Sequence, residues 1–275
     1  MRLYRTSADW LVETDDGSAR ALPGFDFDAW LASTDPAADL RALAATASAA
    51  AAPVPAAPLM PIGTQEIWAV GVTYQRSKVA RMEESQNAKS AYDLVYDAPR
   101  PELFFKATPS RTRGPGQPVT LRHDTKWIVP EPELALVISS RGKLVGYTIG
   151  NDMSCRDIEG ENLLYLPQAK TWNGCCALGP CILLAGDGAD VRASEIRITI
   201  TRDGSAAFTG SVQVSQIKRT FEELIGYLFR DQSFPGGVIL LTGTGIVPPN
   251  EFSLRSGDGI RIEIDGIGTL ENPVA

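Results

Sequence analysis

The sequence predicts an α+β chain that is mostly β. Short apolar runs of strand length recur from residue 67 onward, 25 Gly and 19 Pro punctuate the 275 residues, and few stretches have helical character. The regular strand–helix alternation of a doubly wound sheet or a (β/α)8 barrel is missing.

Taken in order, residues 1 to about 36 hold short apolar pieces, Arg2–Arg5 and Trp10–Val12, with turn signals at Asp16-Gly17 and Pro23-Gly24. Residues 37–57 contain twelve alanines, which favour a helix at first and then break into Pro53, Pro55, Pro58 and Pro61. The reading is a small N-terminal domain and Ala/Pro-rich linker over 1–62, followed by a catalytic domain over 63–275. In that second part, residues 68–72 read as a buried strand. Residues 77–92 read as a helix with Ser77 as a possible N-cap, and 103–106 as a strand. Further strand runs fall at 133–140, 143–150, 181–185, 196–202, 208–214, 237–242 and 260–265, with one more helix at 218–230.

Composition narrows the function. Hydrophobic residues make up 44% and charged residues 21%, which excludes wholesale disorder. The net charge of −7 lacks the basic footprint of a nucleic-acid binder. No apolar run approaches the 18 residues of a membrane span, and no signal peptide is visible before Trp10. The four cysteines (Cys155, Cys175, Cys176, Cys181) form no C-x-x-C pair, so packed, reduced thiols in a cytoplasmic protein are expected. The single histidine, His123, excludes chemistry that needs two, and it reads as a loop residue. No G-x-G-x-x-G or G-x-x-x-x-G-K-S/T segment points to a nucleotide.

The informative stretch is Glu131-Pro132-Glu133 at the mouth of an apolar strand. Residues i and i+2 of a strand share a face, so the two carboxylates project together. A second strand follows after Ser139-Ser140-Arg141-Gly142. If Arg141-Gly142 is a two-residue loop, Ser140 faces Lys143 and Asp152 falls across from Glu131. Three carboxylates then converge, a repulsive arrangement unless a cation joins them. An all-oxygen set suits a hard divalent ion such as Mg²⁺, Mn²⁺ or Ca²⁺.

E-P-E-L-A-L-V-I, G-Y-T-I-G-N-D-M-S-C-R-D, Ala169-Lys170, the A-L-G-P at 177–180 and the T-G-T of 242–244 together resemble the fumarylacetoacetate hydrolase superfamily over about residues 67–275. The G-V-T-Y at 71–74 is similar to that family's G-x-N-Y segment. The resemblance implies a mixed β-roll, a homodimer or higher homo-oligomer, and one Mg²⁺ or Mn²⁺ held by Glu131, Glu133 and Asp152. It places Lys170 in the active site, and Lys106 and Thr244 at the substrate.

One departure matters. The family's hydrolases carry a His shortly after G-x-N-Y, paired with a Glu that activates water; here Ser77 stands in that place. The segments T-Y-Q-R-S-K-V-A-R-M-E-E-S and R-D-I-E-G-E-N-L-L-Y-L-P-Q-A-K resemble instead a dehydratase branch. That branch converts 2-keto-3-deoxy-D-arabinonate (equivalently the D-xylonate compound) to 2,5-dioxopentanoate. A 2-keto acid can chelate the metal, which stabilises the enolate formed when C3 loses a proton, while hydroxide leaves C4 with help from an acid. Lys170 is expected near the substrate carboxylate or as base, Glu84 as an acid/base, Ser77 as a group orienting a hydroxyl or a water, and Arg76 and Arg81 at substrate hydroxyls or carboxylate. Asp157, Glu159 and Glu161 read as supporting or loop-capping residues. The alternatives are an acylpyruvate or diketo-acid hydrolase or a keto-acid decarboxylase on the same metal, and, outside enzymes, a small keto-acid binding protein.

Overall fold

The computed structural model describes residues 1–50, 53–55, 57–84, 94–186 and 190–275, and for 81–84 the backbone alone. Its elements are β1 (Arg2–Arg5), β2 (Trp10–Glu13), β3 (Ala19–Leu22), α1 (Phe27–Ala32), α2 (Pro36–Thr46), β4 (Glu66–Gly71), α3 (Gln75–Glu84) and β5 (Glu102–Ala107). There follow β6 (Thr112–Arg113), β7 (Ile128–Val129), β8 (Pro132–Ile138), β9 (Leu144–Asp152), β10 (Ser154–Cys155), α4 (Arg156–Glu161) and α5 (Leu166–Lys170). The chain continues with β11 (Cys176–Leu184), β12 (Glu195–Arg202), β13 (Ser205–Gln213), α6 (Phe221–Leu228), β14 (Val238–Leu241), β15 (Gly259–Ile264) and β16 (Gly268–Pro273).

The main sheet has the order β3-β2-β1-β11-β9-β8-β14-β4-β5. It is mixed: β14 runs parallel to β4 while its other neighbour, β8, is antiparallel. A second sheet, β13-β12-β15-β16, lies against it. Alternation along β8 shows how the layers form. Leu134, Leu136 and Ile138 join one core with Ile196, Ile198, Ile200, Ile260, Ile262 and Ile264 of the second sheet. Ala135 and Val137 face a different core, shared with Trp30, Leu31 and Leu40 from α1 and α2. A strand covered on both faces reads as a continuous apolar run, which is why 134–138 carries no polar residue. Truncating Leu134 to Ala costs about 2–5 kcal/mol on this basis.

Residues 1–62, expected as a small N-terminal domain, extend the main sheet: β1 pairs with β11, Arg2 opposite Leu183. Their side chains Leu3, Trp10 and Val12 share a core with Ile67 and Val137. Asp26 and Asp35 cap α1 and α2 by accepting the N–H of Ala29 and Ala38, and Pro36 sits at the first turn of α2. The Ala/Pro segment is tied back where Leu59 N–H donates to Arg5 O at 2.8 Å.

The β8–β9 turn corrects one expectation. The loop is Ser140–Gly142, closed by Ser139 N–H donating to Lys143 O at 2.9 Å, so Ser140 does not face Lys143. Gly142 adopts φ 72°, the left-handed conformation that such a three-residue loop needs. A bulge at Val145, between the Ile138–Leu144 and Val137–Gly146 pairs, restores the register. Pro132 lies opposite Asn151, and Asp152 N–H donates to Glu131 O at 2.9 Å, so Asp152 does sit across from Glu131.

Candidate metal and substrate site

Each acidic residue is set by strand geometry. Glu131 precedes β8, Glu133 lies inside it and Asp152 ends β9. Pro132 between the glutamates has no N–H to leave unpaired at the strand's first position. One carboxylate oxygen from each of Glu131, Glu133 and Asp152 lies within 4.8 Å of the other two. All three side chains are buried.

Three buried cations surround this cluster. Lys170, at the end of α5, donates to Glu131 Oε2 at 2.7 Å and Ser154 Oγ at 2.6 Å, with Asp152 Oδ2 at 3.3 Å. Arg156, the first residue of α4, meets Glu131 Oε1 at 2.6 Å. Lys106, in β5 and 0% exposed, pairs with Asp152 Oδ1 at 2.5 Å and donates to the carbonyls of Met153 (2.8 Å) and Lys170. Burial is the strongest single influence on the Lys106 ammonium and works against it, but Asp152 together with smaller contributions outweighs it, and its pKa is raised. Glu133 differs: among the described residues it forms no ion pair, and accepts the Gly243 N–H at 2.6 Å. Burial, then Asp152 and Glu131, push its carboxyl pKa well above the usual range. A buried carboxylate held beside two others without its own cation is the donor set a divalent ion completes. The all-oxygen ligands fit Mg²⁺ or Mn²⁺.

A narrow cavity opens beside the cluster. Besides the three acids, its wall includes Ser77, Glu102, Phe104, Glu159, Lys170, Gly243 and Thr244. Gly243, at φ 90°, follows β14; a Cβ there meets Thr73 Oγ1 at 2.2 Å and Val70 O at 2.9 Å, so only glycine brings its N–H to Glu133. Val72, also on the wall, holds φ 54°, a costly conformation for a β-branched residue and one that collects at functional sites. Thr244 Oγ1 accepts the Ile246 N–H at 3.2 Å and is buried at the rim of the carboxylates.

The expected site residues divide. Glu131, Glu133, Asp152, Lys170, Ser77 and Thr244 come together. Ser77 is not an N-cap, because α3 already starts at Gln75. From the third helical position its Oγ accepts the Tyr74 N–H at 3.3 Å and donates to Tyr74 O at 2.8 Å, which caps the helix from inside. Lys106, expected at the substrate, stands behind Asp152 and does not line the cavity. Arg76, also expected there, is exposed. It sits one residue, about 100° of helix, away from the buried Ser77–Ala80 side of α3. The Arg81 and Glu84 side chains lie outside the described residues.

Asp157 caps its loop, taking the Lys126 N–H at 2.8 Å, and His123 is an exposed turn residue. All four cysteines are free and buried; burial pushes the Cys155 thiol up to about 12. Sequence reasoning missed Arg156, Ser154 and Glu102, and gave Glu159 only a supporting part. The i,i+3 spacing of Arg156 and Glu159 was the available signal for one shared helix face.

Comparison with known proteins agrees with this geometry. The family model described as Fumarylacetoacetate (FAA) hydrolase C-terminal matches residues 66–275. A probable 2-keto-3-deoxyxylonate dehydratase of Haloferax volcanii is 50% identical over 215 residues, covering 78% of this chain and 74% of that protein. A 2-dehydro-3-deoxy-D-arabinonate dehydratase of Saccharolobus solfataricus is 46% identical over 217 residues, covering 78% and 73%. Among solved structures, a 2-keto-3-deoxy-D-arabinonate dehydratase complexed with magnesium and 2,5-dioxopentanoate superposes with a TM-score of 0.83 at 36% identity, over 100% of this chain and 98% of that one. The matched span contains the carboxylate cluster, its lysines and the T-G-T loop, and the chain therefore belongs to the fumarylacetoacetate hydrolase family.

Proposed function

We propose that this protein is a metal-dependent hydro-lyase that dehydrates 2-keto-3-deoxy-D-arabinonate (xylonate) to 2,5-dioxopentanoate. The observation that carries the reading is the buried Glu131–Glu133–Asp152 cluster opening on a cavity in which Ser77 replaces the water-activating histidine. The two relatives at 50% and 46% identity, both named as dehydratases of such acids, support the substrate class.

Glu131, Glu133 and Asp152 hold the Mg²⁺ or Mn²⁺, which supplies Lewis acidity at the keto oxygen when bound. The rest falls to the chain's own groups. Lys170 borders two of the metal-holding carboxylates and the cavity, where its amino group holds or moves the proton at C3. Thr244 and Ser77 offer hydroxyls to the substrate. Lys106 and Arg156 act from behind, fixing the rotamers of Asp152 and Glu131. Phe104, Val70 and Val72 on the wall restrict water around the reacting carbons. Elimination needs no group to deprotonate water, whereas hydrolysis near neutral pH needs such a base, for which histidine is the usual choice. Glu84 remains a candidate acid and Arg81 a candidate substrate contact on α3.

Four buried free thiols support a reducing, cytoplasmic setting, and among the described residues no helix is long and apolar enough to cross a membrane. Leu164, 83% exposed beside Leu163 and Tyr165, supports a homodimer or larger homo-oligomer.

The test is turnover of 2-keto-3-deoxy acids, acetylpyruvate and oxaloacetate after chelation and again after Mg²⁺. Metal-dependent loss of the 2-keto-3-deoxypentonate alone supports the reading. Cleavage of acetylpyruvate to acetate and pyruvate, with no dehydration, establishes the hydrolase alternative. Keto-acid binding without turnover of any substrate establishes the binding protein.

A further inference from the structure

Val72 lines the cavity with its backbone at φ 54°. A β-branched residue keeps that conformation only where its surroundings over-determine it. The buried Val72 side chain packs against Val95 and Tyr96. The next residue is held from two sides. Thr73 Oγ1 donates to Thr242 O at 2.7 Å, and Thr73 O accepts the Lys218 N–H at 3.0 Å.

Residues 94–97, which include Val95 and Tyr96, are helical. The last carbonyls of a helix have no partner within it. Here the two residues before the Thr220 cap of α6 take them. Arg219 is buried and donates to Val95 O at 3.3 Å, Ala98 O at 2.6 Å and Pro99 O at 3.2 Å, while pairing with Glu223. Lys218 Nζ donates to Tyr96 O at 2.8 Å, pairs with Asp97 and lies 4.2 Å from the centre of the Tyr96 ring. Asp97 also accepts from Lys78 of α3 at 3.2 Å, next to Ser77. Arg192 fixes the clamp from behind, donating to Arg219 O at 3.0 Å. Beyond Pro99 the chain enters β5 at Glu102, another residue of the cavity wall. Neither Lys218 nor Arg219 lines the cavity.

We propose that Arg219, with Lys218 beside it, is a positioning residue for the substrate wall: from outside the cavity it fixes residues 95–99, and through Val95 and Tyr96 it keeps Val72 in its left-handed conformation. This rests on the keto-acid reading of the site and deepens it. The metal cluster stands apart from the clamp, because the β8–β9 ladder sets Glu131, Glu133 and Asp152. Loosening the clamp therefore weakens the hold on substrate and spares the hold on metal.

Arg219→Lys keeps the charge and loses the planar fork that spans the three carbonyls. Calorimetry on this variant is expected to show Mg²⁺ affinity within about 3-fold of the unaltered protein. The Mg²⁺-loaded variant is expected to bind 2-oxopentanoate, a 2-keto acid without a C4 hydroxyl, at least about 10-fold more weakly. In turnover, kcat/KM is expected to fall by at least about 10-fold, within the roughly 10²-fold that a misplacement of about 1 Å can cost. Lys218→Met removes the ammonium, keeps the N–H to Thr73 O, and is expected to give a smaller change of the same kind; it decides the matter should Arg219→Lys not fold. The control is Arg202→Lys, which breaks a comparable fork onto Asp258, 2.8 and 2.7 Å, between residues that do not line the cavity. It is expected to lower the melting temperature and leave 2-oxopentanoate binding unchanged. Unaltered ligand binding in folded Arg219→Lys, loss of Mg²⁺ and ligand by the same factor, or an equal loss of ligand in Arg202→Lys overturns the positioning role even if dehydration is confirmed. The expected split in a protein that dehydrates nothing leaves the positioning role standing and removes the proposed reaction. Failure of 2-oxopentanoate to bind the unaltered protein overturns both.

Discussion

Replacing Glu133 by Gln separates metal holding from fold stability because the two effects have opposite signs. Glu133 has carboxylate neighbours within 4.8 Å and no ion-pair partner among the described residues. At an effective dielectric constant of about 20, each like-charged neighbour at that separation opposes ionisation by roughly 3 kcal/mol. Its folded pKa is raised by burial and by those neighbours, above an unfolded value of about 4.3. A carboxyl with a raised folded pKa leaves the folded state at full stability below the unfolded pKa. That stability declines as pH climbs toward the folded pKa, by about 1.4 kcal/mol per unit. The neutral amide of the Glu133→Gln variant removes the decline while its oxygen still accepts the Gly243 N–H. In chelator at pH 8, Glu133→Gln is therefore expected to melt above the unaltered protein. Each kcal/mol so recovered corresponds to roughly 2–4 °C in melting temperature for a chain near this size. Mg²⁺ at 100 times its dissociation constant adds about 2.7 kcal/mol to the unaltered protein, and little to the variant. Thermal melts at pH 5 and pH 8, each with EDTA and with Mg²⁺, read all four states. A variant that melts lower in EDTA at pH 8, and gains as much from Mg²⁺, refutes the electrostatic account.

Three further expectations follow from the same geometry. Lys170→Ala is expected to reduce kcat by at least about 10²-fold, the usual scale for a group that moves a proton; unchanged kcat and KM remove Lys170 from the site. Lys106→Met leaves Asp152 without its 2.5 Å partner and is expected to cost about 3–5 kcal/mol in chelator. Denaturant melts should show the loss shrinking in Mg²⁺, and an equal loss in both conditions assigns Lys106 to packing alone. Gly243→Ala forces a Cβ against Thr73 and Val70, and is expected to lower Mg²⁺ affinity by at least about 10-fold in calorimetry through the displaced N–H to Glu133, on the scale of roughly 1–3 kcal/mol for a lost hydrogen bond to a charged group.

The metal cluster was legible because strand periodicity is rigid. Glu131 and Glu133 share a face whatever the rest of the chain does, and Asp152 follows from the pairing with β9. The expected turn was wrong in detail, yet the pairing survived: the Ser140–Gly142 loop shifts the register by one residue and the Val145 bulge shifts it back. That cancellation leaves no local signal in the sequence. Residues placed by tertiary packing were harder to read. Lys106 follows two aromatics, which indicated an inward charge, but its partner Asp152 is 46 positions away and is met only when the sheet assembles. Arg156 and Glu159 belong to a helix of six residues, too short to announce which face turns to the site. Glu102 reaches the cavity because the facing residue is glycine, a cross-strand relation that depends on the β4–β5 register. The three strands of residues 1–22 read as a separate unit because their link to the rest, β1 on β11, spans about 180 residues.

The central claim is elimination of water from a 2-keto-3-deoxypentonate. It is tested most directly by ¹H and ¹³C NMR of the product formed in D₂O with Mg²⁺. A C3 proton and the C4 hydroxide leave as one water per turnover, with no change in oxidation state overall. The resulting enone then tautomerises through an enol at C4 and C5 to the aldehyde. The account predicts 2,5-dioxopentanoate with solvent deuterium at C3, gained as C5 loses a proton, and at C4, gained as the enol becomes the aldehyde, with a single retained proton at C5. Recovery of the unchanged sugar acid, while acetylpyruvate in the same buffer is cleaved to acetate and pyruvate, would contradict it.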